Sequence, residues 1–283
     1  MKYALIFFIV STFTITVYGQ VNLLNQKVEL TTLDQASIRC YYQFVQKDKA
    51  GLLQIDTMTL DIGARISEYY DINRQNQDSL FWVRQKLIPL NVPTNVTVGG
   101  ADTFEESVGG TSITSGRPKE SARLLKNRQT GEIIIIDVLF DNKYRFTETI
   151  RPQAWQIAAD TATILGYFCQ RATATFRGRS YEAWFSPEIP VNDGPWKFFG
   201  LPGLILKVTD TENVFSFVCV GLESLTPPHD ITIEQINYIN ASRSELAKIK
   251  TQQSGGIMLT DKGGRVFITL LKAKDDYNTL ELE

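Results

Sequence analysis

Apolar and β-branched residues recur along this chain in short runs separated by turn residues, and that pattern restricts the fold more than any other feature. Ser37–Val45 (SIRCYYQFV) is aromatic and β-branched, and Leu52–Ile62 sets Ile55, Met58, Leu60 and Ile62 among polar neighbours. Ile133–Leu139 (IIIIDVL) is a continuous apolar run, as expected of a strand buried on both faces. Lys143–Thr149, Ile164–Phe176, Ser180–Phe185, Leu204–Val208 and Val214–Val220 complete the set. Runs of this length between turn signals predict a mainly β fold, an antiparallel meander rather than βαβ units. One or two short helices accompany it. Asn73–Leu87 carries Leu80, Val83 and Leu87 at helical spacing, and Ser242–Lys250 opens with Ser242 and Glu245 in capping-box spacing.

Two stretches stand apart from the strands. Residues 1–19 begin with Lys2, continue through the apolar Tyr3–Val10 and end on Val17-Tyr18-Gly19, the order of a secretory signal peptide cut before Gln20. The remaining 20–283 then form a single β domain with no transmembrane segment, because no second long apolar run follows. Asn91–Glu120 holds Gly99-Gly100, Gly109-Gly110 and Gly116 among many Thr and Ser residues and reads as a long flexible loop. The net charge of −2 argues against a nucleic-acid surface, which needs a clustered basic face.

The block Gly166–Asp210 carries the most local information. It opens as a strand in which Phe168, Gln170, Ala172, Ala174 and Phe176 form the more apolar face, expected to meet the core. Arg177-Gly178-Arg179 is a turn, and Tyr181, Ala183 and Phe185 alternate beyond it as a hairpin partner. Pro187 and Pro190 take the chain out of the ladder. Asn192-Asp193-Gly194 is turn chemistry, and Leu201-Pro202-Gly203 suits a type II turn with positive φ at Gly203.

Candidate chemistry is sparse. His229 is the only His, sits beside Pro227-Pro228, and reads as a surface-loop residue; no HExxH, CxxC or GxSxG accompanies it. No catalytic, cofactor or metal residue is therefore assigned. Glu182, Glu188 and Asp193 read as solvated or turn-capping carboxylates. Arg171, Arg177, Arg179 and Lys197 read as strand-edge charge, with a small anion-binding patch as the sharper alternative. Tyr181, Trp184, Trp196, Phe198 and Phe199 are expected to pack in the core, with a lipid- or peptide-binding groove as the alternative. Three cysteines, Cys40, Cys169 and Cys219, leave one over if two bridge. Cys169–Cys219 is the favoured pair, because it would enclose the block.

The motif Gly200-Leu201-Pro202-Gly203-Leu204-Ile205 resembles the signature of the bacterial GLPGLI family. Its flanks GYFCQRA, AWFSPEIP and DGPWKF are similar to that family as well, and so is Asn278-Thr279-Leu280-Glu281-Leu282, with Thr279 where Pro is common. The resemblance implies an exported protein, periplasmic or cell-surface, often found beside outer-membrane receptor systems. It also implies a curved, half-barrel-like sheet of the kind seen in lipoprotein carriers, and it implies no mechanism. A non-enzymatic protein binding an outer-membrane receptor or a lipid or peptide ligand is expected first. A hydrolase using carboxylates or His229 and a structural envelope component are the alternatives.

Overall fold

A computed structural model describes residues 28–49, 51–72, 95–99, 103–108, 111–115, 122–139, 142–252, 256–260, 266–270 and 280–281. The expected signal peptide and the Asn73–Leu87 helix lie outside them. The fold is mainly β, as expected. Twelve strands share one open, mixed sheet.

Six strands form a first meander: β1 (Leu30–Lys47), β2 (Leu53–Gly63), β3 (Ile66–Asp71), β7 (Arg123–Asn127), β8 (Glu132–Leu139) and β9 (Asn142–Thr149). Five form a second: β10 (Gln156–Ile164), β11 (Tyr167–Phe176), β12 (Arg179–Ser186), β13 (Leu204–Asp210) and β14 (Phe215–Glu234). The long strands β1 and β14 pair antiparallel and join the two meanders, so the first strand lies in the middle of the sheet. The short β15 (Ile239–Asn240) returns to pair parallel with β9 at one edge, and β10 forms the other.

The connection between β9 and β10 requires the sheet to curl. These strands are ten positions apart in the strand order, about 48 Å along a flat sheet at ~4.8 Å per strand. Ile150–Trp155 bridges them, and six residues reach only about 24 Å when extended. The sheet is therefore a trough whose two edges approach one another without pairing.

Local chemistry explains the tight corners. Ile164 pairs with Tyr167 and Phe176 with Arg179, so each hairpin has a two-residue loop. Leu165 and Gly166, and Arg177 and Gly178, all have positive φ, the pattern whose twist matches that of the flanking strands. The single helix among the described residues, α1 (Arg243–Gln252), is capped as its sequence predicts. The Ser242 backbone N–H donates to Glu245 Oε2 at 2.7 Å, and the Glu245 N–H donates to Ser242 Oγ at 3.2 Å.

The main core lies on the concave face. Tyr42, Phe44, Leu60, Leu124, Ile133 and Ile135 meet Tyr181, Phe185, Leu206, Val208, Phe215 and Phe217 there. A smaller cluster of Ala36, Leu125, Ile136 and Ile231, joined by Ile134, covers the other side. Ile133–Ile136 thus packs on both faces of the sheet, as its run of four isoleucines predicts.

Two expectations are corrected here. Phe168 was expected in the core but is exposed, while its neighbour Cys169 is buried. Phe168 lies beyond Gln170↔Phe185, the last pair between β11 and β12, so only β10 flanks it, through Thr163. Within Asn91–Glu120, expected as a long flexible loop, lie the strands β4 (Asn95–Gly99), β5 (Thr103–Val108) and β6 (Thr111–Ser115), a separate antiparallel sheet. Its Thr, Val and Phe residues favour strands, and Val108↔Thr111 leaves only Gly109 and Gly110 between two of them. Strands β16 (Gly256–Thr260) and β17 (Val266–Leu270) form a two-stranded sheet of their own.

Candidate functional site

Between β12 and β13 the chain leaves the ladder at Pro187, as the prolines predict, and residues 187–203 lie across the concave face. Ile189, Trp196, Phe198, Phe199 and Leu201 from this segment are all buried in the main core. Phe198 is the hub: its ring centre lies 4.7 Å from Tyr181, 5.3 Å from Trp196, 6.0 Å from Phe176 and 6.1 Å from Phe217. All four pairs meet edge to face, an arrangement favoured by the ring quadrupole. The aromatic set therefore fills the trough. Trp184 alone points the other way along β12, is half-buried, and donates its Nε1–H to Glu182 Oε1 at 2.9 Å.

The backbone of this segment and of the start of β13 is held by side chains from the β9–β10 connection and from β1. Gln153 donates from Nε2 to Lys197 O at 3.1 Å and accepts from Phe199 N–H at 3.1 Å. Trp155 donates to Phe199 O at 2.9 Å, and Tyr42 Oη donates to Ile205 O at 2.7 Å. The glycines of the signature serve this packing, but not as expected. Positive φ falls on Gly200 (95°), not on Gly203. A Cβ on Gly203 would sit 2.1 Å from Ser186 O, so Gly203 is needed for close approach to β12.

A buried ion pair anchors the turn. Lys126 Nζ donates to Asp193 Oδ1 and to Gly194 O, both at 2.6 Å, and Arg128 Nη1 donates to Asp193 Oδ2 at 3.2 Å. Burial alone would raise the Asp193 carboxyl. Lys126 and Arg128 outweigh it and hold the group below the usual carboxylate range. Burial likewise pulls the Lys126 ammonium below its ordinary value, against the attraction of Asp193. Asp193 also caps its own turn by accepting from Gly194 N–H at 2.8 Å, the role its sequence context suggests. Glu182 and Glu188 engage different groups: Arg171 and Trp184 for the first, Phe168 N–H for the second. The three carboxylates thus have separate partners.

The four cations of the suspected anion patch divide. Arg171 pairs with Asp160 and Glu182, and Arg179 with Asp210 and Glu212. Arg177 and Lys197 do come together, on Glu148 and on Glu281 near the C-terminus. A cavity of about 580 Å³ opens beside them, lined by Arg145, Glu148, Ser242, Arg243 and Glu245 among others.

His229 lies in β14 opposite Ala36, not in a loop. Its half-exposed ring places Nε2 3.9 Å from Asp61 Oδ2. Asp61 is buried, held by both Arg39 nitrogens at 2.6 and 2.8 Å and by Tyr70 Oη at 3.2 Å. Among the described residues no group of three or more His, Cys, Asp or Glu side chains could hold a metal ion.

All three cysteines are buried free thiols, so the favoured Cys169–Cys219 bridge is absent. The strand order explains this. β12 and β13 separate β11 from β14, about 14 Å along the sheet at ~4.8 Å per strand, against a limit near 7 Å for a bridge. Cys219 pairs across the ladder with Tyr42 and meets Cys40 diagonally. Their shared hydrogen bond, aided by burial, pushes Cys40 well up, while the bond from Cys40 brings Cys219 down.

Lys126, Gln153, Trp155 and Glu148 were not singled out from the sequence, and Glu281 entered only as part of the C-terminal resemblance. Only Lys126 left a signal: it shares a strand face with Leu124 in RLLKN, a charge where alternation expects an apolar residue.

A family model described as "Protein of unknown function (Porph_ging)" matches residues 177–207, from the β11–β12 turn through the crossing segment into β13. No curated protein matches the chain. Two crystal forms of PNGF-II, in space groups P21 and C2, superpose with a TM-score of 0.49 at 13% identity. The alignment covers 80% of this chain and 35% of theirs, so the chain spans about a third of their length.

Proposed function

We propose that this chain is an exported envelope protein of the GLPGLI family that binds a ligand or partner without catalysis. The signature block and the Porph_ging match at 177–207 support the family reading, and the signal-like residues 1–19 support export. The observation that carries the non-enzymatic reading is the sealing of Asp193. The carboxylate at the centre of the signature block is buried against Lys126 and Arg128 and has no access to a substrate. With the aromatic rings filling the trough, recognition falls to the outer surfaces and the open sheet edges. Native mass spectrometry of protein purified from its own host tests this. A retained peptide, lipid or partner supports the reading; protein that stays bare and binds nothing from envelope extracts points to a purely structural component. The same sample, sequenced from its N-terminus, should begin at Gln20.

A hydrolase reading retains one observation, the exposed His229 beside buried Asp61. It requires turnover of some substrate in a broad panel that His229→Ala abolishes while the melting temperature stays unchanged.

A further inference from the structure

The side chain of Glu281 receives more cations than a surface carboxylate ordinarily collects. Lys197 Nζ lies 2.6 Å from its Oε1 and Arg243 Nη1 2.6 Å from its Oε2, with Arg177 Nε 4.0 Å away. Lys197 is itself almost fully buried, and it belongs to the crossing segment. Arg243 is the first residue of α1, so one carboxylate ties that helix to the signature block. The adjacent Leu280 adds the other components of a peptide contact. Its side chain packs against the main core, and its carbonyl accepts from Tyr181 Oη at 3.2 Å. A backbone acceptor, an apolar side chain and a carboxylate are thus read by an aromatic hydroxyl, a hydrophobic surface and three cations.

We propose that Tyr181, Lys197, Arg177 and Arg243 form a docking site for an acidic Leu-Glu segment, which the chain's own Leu280 and Glu281 occupy as a detachable latch. The components are those by which proteins hold short acidic peptides: convergent cations give charge-assisted bonds, and an anchor side chain is buried beside them. Glu148 completes the arrangement. It shares Arg177 and Lys197 with Glu281, so the cations remain partly neutralised when the tail leaves, which lowers the cost of release. The cavity beside the latch, which shares Glu148 and Arg243 with it, offers room for residues flanking a docked segment. The inference rests on these contacts and is independent of export or family.

The test uses the full chain and a labelled, C-terminally amidated peptide, Asn-Thr-Leu-Glu-Leu-Glu, the sequence of residues 278–283. In a Glu281→Gln chain the tail is weakened and the docking site intact. The peptide should bind that chain about ten-fold or more tighter than the native one, because apparent affinity scales with the fraction of vacant sites. A peptide with Gln in place of its first Glu should bind neither, and adding Arg243→Ala to the Glu281→Gln chain should abolish binding. A Glu281→Gln chain that melts normally yet binds the peptide no better than the native chain overturns the proposal. Should that variant fail to fold, the native chain decides through carboxypeptidase digestion. Saturating amidated peptide should displace the tail and speed release of C-terminal residues, and an unchanged rate overturns the proposal.

Discussion

Lys126 Nζ lies 2.6 Å from Asp193 Oδ1, and both side chains are buried. This pair fastens β7 of the first meander to the segment crossing the trough. Asp193→Ala would leave an ammonium buried without its counter-charge. A loss of about 3–5 kcal/mol is expected in urea unfolding. Lys126→Met combined with Asp193→Leu should cost less than either change alone, since neither a lone ammonium nor a lone carboxylate remains and Arg128 keeps its bonds to Gly63 O and Ala64 O; a strictly additive double variant would show that the pair is not coupled.

The same pair sets an acid response. The folded Asp193 carboxyl lies below its unfolded value of about 3.9. On acidification the unfolded chain takes up the proton first. Its contribution to stability is thus present above about pH 4 and lost as pH falls through the folded value. The stability gap between the native chain and Asp193→Asn should narrow below pH ~4, followed by denaturant melts at stepped pH. A gap that stays constant down to pH ~2 would contradict the assignment.

Gly200 and Gly203 should fail for different reasons. At Gly203 an added Cβ meets Ser186 O at 2.1 Å, so Gly203→Ala displaces backbone and should cost about 3 kcal/mol or more. Gly200→Ala combines a φ of 95° with a Cβ 2.5 Å from Pro152 Cβ. Gly200→Asn tolerates positive φ better than Ala but keeps the Cβ, so the difference between the two variants isolates the φ component. Chemical denaturation of the three variants separates the effects, and a Gly203→Ala chain as stable as the native one would rule out the close approach.

Oxidative trapping should link Cys40 to Cys219. The two thiols share a hydrogen bond, whereas Cys169 bonds to backbone and lies three strands from β14. After diamide treatment, non-reducing peptide mapping should find Cys40 with Cys219 and alkylated Cys169. A Cys169–Cys219 peptide would require the strand order to be wrong.

Much of the fold was legible in the sequence because strand periodicity is local. Ile133–Ile136 announced packing on both faces, and Ser242 with Glu245 announced the start of α1. β3 and β7 went unread because they are short and carry charges that alternation would place at the surface. Glu68 and Lys126 are buried only because Arg123 and Asp193 meet them from elsewhere in the chain. By sequence this strand ends at Val220 and His229 lies in a loop beside Pro227-Pro228, yet β14 continues to Glu234, where it pairs with the far end of β1.

What the sequence determined alone was the β class, the hairpin turn at Gly178, the helix cap, and the departure of the chain at Pro187. Each depends on φ preferences, period or spacing within a few residues. Only the tertiary structure decided that the aromatic rings fill the trough, that Asp193 is sealed by Lys126, that Cys219 meets Cys40 and not Cys169, and that Glu281 docks on Lys197. These depend on which strands become neighbours and on how far the sheet curls. A six-residue connection between its two edges sets that curl, and a distance constraint of that kind has no signature in local composition.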